Sequence, residues 1–454
     1  MLKKTKKTYP KEKSSVKKGT RMKKTLLLLL TLSPLSLLGL VKQKKHMTVL
    51  VYIAGDNDLA YFARRNIDDM KKVGSTKHLN VIVQLDGQGA HEKTKRLFIE
   101  KNKMIQVNRN HPSSQQKLDF GSALTLIDAC EWAIKDYPAD HYALILWNHG
   151  IGVLDNIGGR ASSASELFAF NHETNMLELN RSIDFFDYLK QQQPRGVCFG
   201  DTYGTYLTNQ KLQYALREVS LKLLGGKKID IVGFDACLMS MIEVGNLIRP
   251  YADYMVGSQE IELGIGWPYN KILEPFATQA LSPERLCKHI TASYHNYYKS
   301  ITYDYTLSTI QLDKLEALEY SLEKVTNLLL YALENQKNNT VTRLIKASKS
   351  RRLCTHFSEP SYIDLHHFLS NLQEALGFMA LKEETFSLQK SLYTEIDKAK
   401  TDLLDCVIAN CCGRNLHQAK GLSVYFPSRM IETSYVITPF AKSYSWLTLL
   451  QEII

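Results

Sequence analysis

The sequence has no apolar run long enough to cross a bilayer, although it is 454 residues long. Its main apolar stretch, residues 26–40, is shorter than the roughly 20 residues that a membrane-spanning helix needs. A basic tail precedes this stretch, so residues 1–40 are typical of a secretory signal peptide, with Met22 as an alternative start. We therefore expect a secreted, periplasmic or cell-surface protein. The alternative is an uncleaved N-terminal anchor, through which alone the protein would contact a membrane.

Beyond this tail the sequence also lacks an excess of charge. The formal net charge is +11, but residues 1–24 hold eleven Lys and Arg residues against one Glu. The rest of the chain is therefore nearly neutral. Charge concentrated at one end is typical of a solvated or targeting tail, and we expect no nucleic-acid partner.

Cysteine is scarce, and the common metal and nucleotide motifs are missing. The eight cysteines form no CxxC pair and no zinc-ligand spacing, and they are too few for a disulfide scaffold in a chain of this size. The sequence has no P-loop, GxGxxG or EF-hand pattern. We therefore expect no metal site and no cofactor, and most of the cysteines should be buried apolar residues.

What the chain does have is apolar runs that alternate with helical patterns. This alternation predicts an α/β fold, a three-layer αβα sandwich with a mainly parallel central sheet. Asp56 and Asp58 are predicted to begin the helix after the first strand. The predicted strands are 47–53, 79–85, 142–147, 229–235, 252–258 and 421–426, with a short hairpin near 96–99. The later predicted helices are 282–300, 313–335, 361–375 and 383–410.

The same patterns divide the chain after the tail of residues 1–40 into two parts. We expect an α/β domain over 47–280 and a mostly helical C-terminal region over 281–454, which returns a strand at 421–426. Within the first domain, residues 150–195 are rich in small and polar residues. A long irregular segment of this kind is usually functional or disordered.

Two of the apolar runs end at reactive side chains. His149 follows the run that begins at Tyr142, and Cys237 follows the run that begins at Ile229. Ligands bind outside the carboxyl ends of the strands in open α/β sheets, so neighbouring parallel strands would place both side chains on one rim. A thiol needs a nearby base or cation to become a good nucleophile. The arrangement predicts a cysteine hydrolase.

Several sequence blocks resemble the clostripain family of cysteine peptidases, which shares a clan with caspases, legumains, gingipains and separases. The resemblance spans about residues 47–430, and the His149 and Cys237 blocks are specific only in combination. The blocks are AGDNDL at 54–59, PADHYALILWNHG at 138–150, GFDACLM at 233–239, GWPY at 266–269 and AKGLSVYFP at 419–427.

The resemblance implies a caspase-like fold and an endopeptidase that cleaves proteins or peptides after a basic residue. Cys237 would be the nucleophile and His149 the general base and acid, working as a dyad without a third catalytic residue. The backbone amides of Gly150 and Cys237 would form the oxyanion hole, where a donor is worth about 3–4 kcal/mol. Asp235 would lie at the base of the S1 pocket, where a carboxylate suits a guanidinium or ammonium group.

The resemblance also implies other sites. Ser258, Gln259 and Glu260 match the segment that lines the substrate groove in caspase relatives. Members of the family are often made as zymogens and cut between the His and Cys strands. Residues 150–195 offer Arg160, Arg181 and Lys190, and Arg160 is the best candidate for self-cleavage because small residues flank it. Clostripain itself depends on calcium, but no ligand set in this sequence decides whether this chain does.

Two other functions stay open at this point. The chain could be a catalytically silent caspase-like binding module on the cell surface, against which the intact His149, Cys237 and Asp235 argue. It could also be a peptidase of the same clan with another P1 preference. Asp235 favours a basic P1 residue over this alternative.

Overall fold

Buried strands form the centre of one nine-stranded sheet within the part of the chain that the structure describes. This computed structural model describes residues 43–109, 115–155, 167–181, 197–335, 339–377 and 383–454. The predicted tail of residues 1–40 and the predicted cleavage site at Arg160 lie outside these ranges. The strands are β1 (Lys45–Ala54), β2 (Leu79–Asp86), β3 (Lys95–Glu100), β4 (Lys103–Gln106), β5 (Ala139–Trp147), β6 (Phe168–Asn171), β7 (Met176–Leu179), β8 (Val197–Gly200), β9 (Thr205–Leu207), β10 (Ile229–Asp235), β11 (Ala252–Gly257), β12 (Thr306–Gln311), β13 (Tyr362–Asp364), β14 (Val407–Cys412) and β15 (Ser423–Tyr425).

The strand order of the main sheet is β14-β12-β11-β10-β5-β1-β2-β3-β4. Its five central strands, β2, β1, β5, β10 and β11, are parallel to one another. The outer strands β3 and β4 on one side, and β12 and β14 on the other, are antiparallel. The parallel centre confirms the predicted α/β fold, and it directs the carboxyl ends of its strands toward one rim.

Helices cover both faces of this sheet. The α-helices span Ala60–Lys71, Ala123–Asp136, Asn209–Glu218, Ile242–Ile248, Tyr269–Leu273, Pro283–Tyr298, Leu315–Glu334, Thr340–Ser348, Leu365–Gly377, Glu383–Cys406, Thr433–Val436, Pro439–Ser443 and Trp446–Ile453. Shorter 3₁₀ turns span Glu274–Ala277 and Arg414–Leu416, and a π-helical turn over Val219–Leu223 extends the helix before it. None of the helices within the described ranges is both long and apolar enough to pass through a membrane.

The two faces of β1 contribute to two different hydrophobic cores. Val49 and Val51 pack in one core with Ile67 of the first helix, whereas Leu50 and Tyr52 belong to the other core. Successive side chains of a strand point to opposite faces of its sheet. The sheet is therefore the middle of three layers, and burying each large apolar side chain contributes about 1.5–3 kcal/mol.

The C-terminal region contributes to the main sheet two strands that the sequence pattern does not predict. β12 pairs with β11, and β14 pairs with β12, so the main sheet continues past the boundary expected at residue 280. The helix predicted over 383–410 ends at Cys406, and the residues after it form β14. A short apolar segment fits either a strand or a buried helix, and its pairing with a neighbour decides between them.

The strand predicted at 421–426 is present in shorter form as β15. It pairs with β13 in a separate two-stranded sheet instead of joining the main one. β13 lies at the start of the helix predicted over 361–375, so that helix begins only at Leu365. The predicted hairpin near 96–99 is confirmed as β3 and β4.

Candidate active site

The pairing of β5 with β10 brings His149 and Cys237 to the same rim of the sheet. Trp147 and Asp235 are the last pair in the register of the two strands, and the Asn148 N–H donates to the Asp235 carbonyl oxygen at 3.2 Å. His149 and Cys237 each lie two residues beyond that pair. Since neighbouring strands run about 4.8 Å apart, the two residues leave the sheet side by side.

The backbone of Glu262 holds the Cys237 thiol. The Glu262 N–H donates to Sγ at 3.4 Å, and Sγ lies 3.8 Å from the Glu262 carbonyl oxygen. Cys237 is only 8% exposed. Burial raises the pKa of Cys237 to about 12, and the N–H groups of Glu262 and Gly150 oppose this rise. The thiol is therefore protonated at neutral pH, and it needs a base before it can act as a nucleophile.

The carboxylate of Asp58 holds the imidazole of His149. The sequence analysis predicts instead that Asp58 begins a helix. His149 Nε2 lies 2.9 Å from Asp58 Oδ1, and the two side chains are 12% and 22% exposed. Asp58 follows β1, the parallel neighbour of β5. Its position in the sequence is therefore enough to predict that it lies on the same rim as His149. A carboxylate in this position orients the ring of a histidine base and stabilises its protonated form.

The loop that carries Asp58 is fixed by Asp56. Asp56 Oδ1 accepts from the Gly89 N–H at 2.7 Å, and Oδ2 accepts from the Thr202 N–H at 2.9 Å. Lys117 lies 3.3 Å from the same carboxylate. Asp56 therefore ties together three loops of the rim, and it does not cap the first helix as the sequence predicts.

Gly150 lies where no side chain would fit. A methyl group built on its Cα would lie 2.3 Å from the Cys237 carbonyl oxygen and 3.1 Å from the Ala236 Cβ. Leu238, which follows the thiol residue, has a φ of 63°. This left-handed conformation costs about 1–2 kcal/mol for a residue with a side chain. A tight turn thus presents Cys237 at the rim with the Gly150 N–H against its sulfur.

Asp235 is buried below this turn. Its Oδ2 accepts from the Tyr269 hydroxyl at 2.8 Å and from the Trp267 N–H at 3.2 Å. Gly266 has a φ of 70°, and a methyl group there would lie 3.0 Å from the same oxygen. The GWPY block therefore needs its glycine so that the backbone can reach the Asp235 carboxylate.

A second buried acid, Glu262, lies beside Asp235, and the sequence interpretation misses it. Burial raises the pKa of Asp235 to about 7. Burial and the charge of Asp235 raise the pKa of Glu262 well above its ordinary value. No Lys or Arg in the described part of the chain neutralises either carboxyl group. Since buried charges are normally paired, the pair is suited to bind a guanidinium or ammonium group from outside.

Ser258 and Gln259 make their contacts inside the fold. Ser258 Oγ lies 2.8 Å from Thr306 Oγ1. Gln259 Nε2 donates to Asp364 Oδ2 at 3.0 Å, and Gln259 Oε1 accepts from the Gly421 N–H at 2.9 Å. Both residues are fully buried. Their side chains link the segment after β11 to the C-terminal region, and a substrate contact for these two stays a prediction.

Glu260 is also buried, but one of its oxygens faces a cation. Its Oε1 accepts from the Ser358 N–H at 3.0 Å, and its Oε2 lies 3.6 Å from Arg181 Nη1. Among the three basic residues considered as cleavage sites, Arg181 lies within the part of the chain that the structure describes. Arg160 and Lys190 lie outside the described residues.

In the described ranges, no three His, Cys, Asp or Glu side chains are grouped so as to hold a metal ion.

A cysteine and a histidine on neighbouring strand ends of an αβα sheet define the caspase-like class of cysteine peptidases.

Comparison with known proteins gives the family within this class. The family model described as "Clostripain family" matches residues 51–181 and 167–452. The chain therefore belongs to the clostripain family, and it is a cysteine peptidase of that family. Clostripain from Hathewaya histolytica is 21% identical over 458 residues, which cover 89% of this chain and 80% of clostripain.

Solved structures agree in fold. An inactive zymogen of a C11 protease from Parabacteroides distasonis has a TM-score of 0.56 and 20% identity, and the match covers 88% of this chain and 99% of that one. A secreted C11 cysteine protease from Bacteroides thetaiotaomicron, bound to an irreversible peptide inhibitor, has a TM-score of 0.54 and 20% identity over 89% of this chain and 99% of its own. These similarities establish the caspase-like fold.

Proposed function

We propose that this protein is an exported endopeptidase that cleaves protein and peptide substrates after Arg or Lys, with Cys237 and His149 as its catalytic pair. The observation that carries the proposal is the buried pair Asp235 and Glu262 next to a buried thiol. A peptidase of this family needs a pocket for the side chain before the scissile bond. The acid pair makes that pocket selective for a cation.

The proposed reaction begins with transfer of the Cys237 proton to His149. Asp58 faces Nε2 of the ring, so Nδ1 is the nitrogen that takes the proton. The thiolate then attacks the scissile carbonyl carbon, and the N–H groups of Gly150 and Cys237 donate to the oxyanion that forms. His149 returns the proton to the leaving amine, and water hydrolyses the acyl-enzyme.

Electrostatics support a basic P1 residue. Burial raises the pKa of both carboxyl groups, and the charge of Asp235 raises that of Glu262 further, so the pair resists full ionisation without a cation. A substrate guanidinium or ammonium would let both ionise and would donate charge-assisted hydrogen bonds to them. Hydrogen bonds to charged groups contribute about 1.5–3 kcal/mol each. An amide or apolar P1 side chain would leave the pair unsatisfied.

Self-activation by cleavage after Arg160 is part of the proposal. Arg160 has the basic side chain that the acid pair favours, and it lies in the segment between the His149 and Cys237 strands. The relative from Parabacteroides distasonis was solved as a zymogen. A Cys237→Ala protein would stay uncut, and Arg160→Ala would move or abolish the cut in the wild-type background. Cutting of the pure Cys237→Ala protein at the same bond would show that this protein's own thiol does not make the cut.

Export is supported by the basic and apolar composition of residues 1–40, and a relative from Bacteroides thetaiotaomicron is described as secreted. Fractionation of cells that produce the full chain tests this. An activity found only in the cytoplasm would contradict it.

A fluorogenic peptide series that differs only at P1 tests the activity. We expect cleavage after Arg and Lys, and at least about tenfold slower cleavage after Asn, Asp or Ala, since the loss of one charge-assisted contact costs about 1.5–3 kcal/mol. Cys237→Ala should be inactive, and the half-buried Cys412→Ala is the matched control. Runs with calcium and with a chelator decide whether calcium is required. Cleavage of every peptide at equal rates would contradict the basic P1 preference.

A further inference from the structure

The side chain of Arg181 is seated in an acidic site next to the proposed S1 pocket. Its Nη2 donates to Asp304 Oδ1 at 2.8 Å, and its Nη1 lies 3.6 Å from Glu260 Oε2. The Arg181 side chain is 45% exposed, whereas the two acids are 0% and 2% exposed. The site is therefore a pair of buried acids that is covered by an arginine within reach of solvent.

Glu260 is incompletely satisfied in this arrangement. Its Oε1 accepts from backbone N–H groups, but its Oε2 has no hydrogen-bond donor among the described residues. A buried carboxylate oxygen without a donor is costly. Asp304 differs, because it also accepts from the Leu179 N–H and from the Asn415 side chain. Glu260 is thus the acid that gains most from a better-placed cation.

The site adjoins the reacting thiol through the backbone of Glu260. The Glu260 carbonyl oxygen accepts from the N–H of Leu238, the residue after Cys237, at 3.2 Å. Two residues further along, Glu262 contacts the thiol and belongs to the proposed S1 pocket. A substrate bound at Cys237 therefore passes close to both acidic sites, since one residue of extended chain spans about 3.3 Å.

From this geometry we propose that Glu260 and Asp304 form a second cation-binding subsite, in which Arg181 acts as an internal occupant that a basic side chain of the substrate replaces. The proposal rests on the proposed cleavage after Arg or Lys, and it adds a preference for a second basic residue within about three positions of the scissile bond. Arg181 then limits this preference in the wild-type chain. The chemistry of the ligand is a guanidinium or ammonium on an extended peptide.

Peptide pairs with P1 Arg, in which one neighbouring position from P3 to P2′ carries either Arg or Ala, test the subsite. In Arg181→Ala, kcat/KM for the best Arg-containing peptide should rise about tenfold over its Ala partner, which is the gain from one charge-assisted contact. Arg181→Ala/Glu260→Gln should lose this gain while still cleaving single-Arg peptides. Arg181→Gln repeats the test with a side chain that fills more of the site.

Arg249→Ala is the matched control, because Arg249 pairs with another fully buried acid, Glu319, at 3.1 Å. Arg249→Ala should leave unchanged the ratio of the kcat/KM values of the Arg-containing peptide and its Ala partner. An unchanged ratio in both Arg181 variants, with cleavage of single-Arg peptides intact, would overturn the subsite and leave Arg181 as a structural tie.

Binding to inactive protein separates this proposal from the proposed activity. The same peptide pairs are titrated calorimetrically into Cys237→Ala/Arg181→Ala, with and without Glu260→Gln. About tenfold tighter binding of one Arg-containing peptide than of its Ala partner, which Glu260→Gln removes, supports the subsite even if no peptide is cleaved. Equal affinity within every pair overturns it, whereas failure of P1 Arg cleavage alone overturns only the proposed function.

Discussion

His149 Nε2 and Asp58 Oδ1 are 2.9 Å apart, although the two residues are 91 positions apart in the chain. The contact joins the ends of two parallel neighbours, β1 and β5. Asp58 therefore fixes the ring orientation of the proposed base, as a carboxylate does for a catalytic histidine in other hydrolases. The proposed Cys-His dyad thus has a positioning residue.

Asp58→Ala should lower kcat about 10- to 100-fold with little change in KM, because the ring loses its orientation and the protonated form loses its partner. Asp58→Asn should retain part of the activity, since an amide oxygen can still hold the ring. Steady-state kinetics and the pH profile of kcat measure both effects. Asp68→Asn, an exposed change on the following helix, is the control. A kcat that does not respond to Asp58→Ala would rule out the positioning role.

Asp235→Asn should reduce kcat/KM for P1 Arg and Lys peptides by about 100-fold or more, while cleavage after an uncharged P1 residue changes little. The amide keeps the shape of the side chain but removes the charge that a cation needs. Glu262→Gln should act in the same direction. Equal losses on charged and uncharged P1 peptides would show instead that the substitution disturbs the thiol.

The acid pair also makes stability depend on pH. The pKa of Asp235 is raised to about 7, whereas an unfolded aspartate titrates near 3.9. Between about pH 3.9 and about pH 7 the Asp235 carboxyl group is protonated in the folded chain and ionised in the unfolded chain. Its contribution to the free energy of unfolding is therefore complete below about pH 4 and is lost as the pH rises through 7. Urea unfolding of Cys237→Ala should show a free energy of unfolding that falls between about pH 4 and pH 8 by on the order of 4 kcal/mol more than in Cys237→Ala/Asp235→Asn. Parallel curves for the two proteins would contradict the assignment, and the exposed Asp313→Asn serves as control.

Gly150→Ala should lower kcat/KM about 100-fold, because the added methyl group displaces the backbone N–H that donates to the oxyanion. Its methyl group would lie 2.3 Å from the Cys237 carbonyl oxygen, so the backbone at the thiol must move. The strain should cost about 1–3 kcal/mol of stability. Gly377→Ala is the matched control, because a methyl group there meets nothing within 4 Å. Full activity in Gly150→Ala would exclude its amide from the oxyanion hole.

The parallel centre of the sheet can be predicted because its strands are buried on both faces and appear as continuous apolar runs. The antiparallel side is harder. β12 has the sequence TLSTIQ, in which polar residues interrupt the run, and β14 directly follows a helix of 24 residues. Their strand conformation depends on pairing with distant segments, β11 with β12 and β12 with β14, which no local pattern reports.

The candidate active site also contains some residues that the sequence predicts and others that it does not. His149 and Cys237 are conspicuous because each ends an apolar run at the rim, and Asp235 precedes the thiol by two positions. Asp58 and Glu262 acquire their roles from contacts with distant segments. For Ser258 and Gln259 the predicted place in the groove stays a prediction, and their side chains bond inside the fold.

The antiparallel strands β12 and β14 have a practical consequence for any shortened form of this protein. They cover the side of β11 that would otherwise expose a row of unpaired backbone N–H and C=O groups. Such an open edge is a template for association with further copies of the chain. Loss of the C-terminal third by proteolysis or truncation would therefore yield aggregates, and a smaller soluble peptidase cannot be obtained by cutting at the end of the parallel strands.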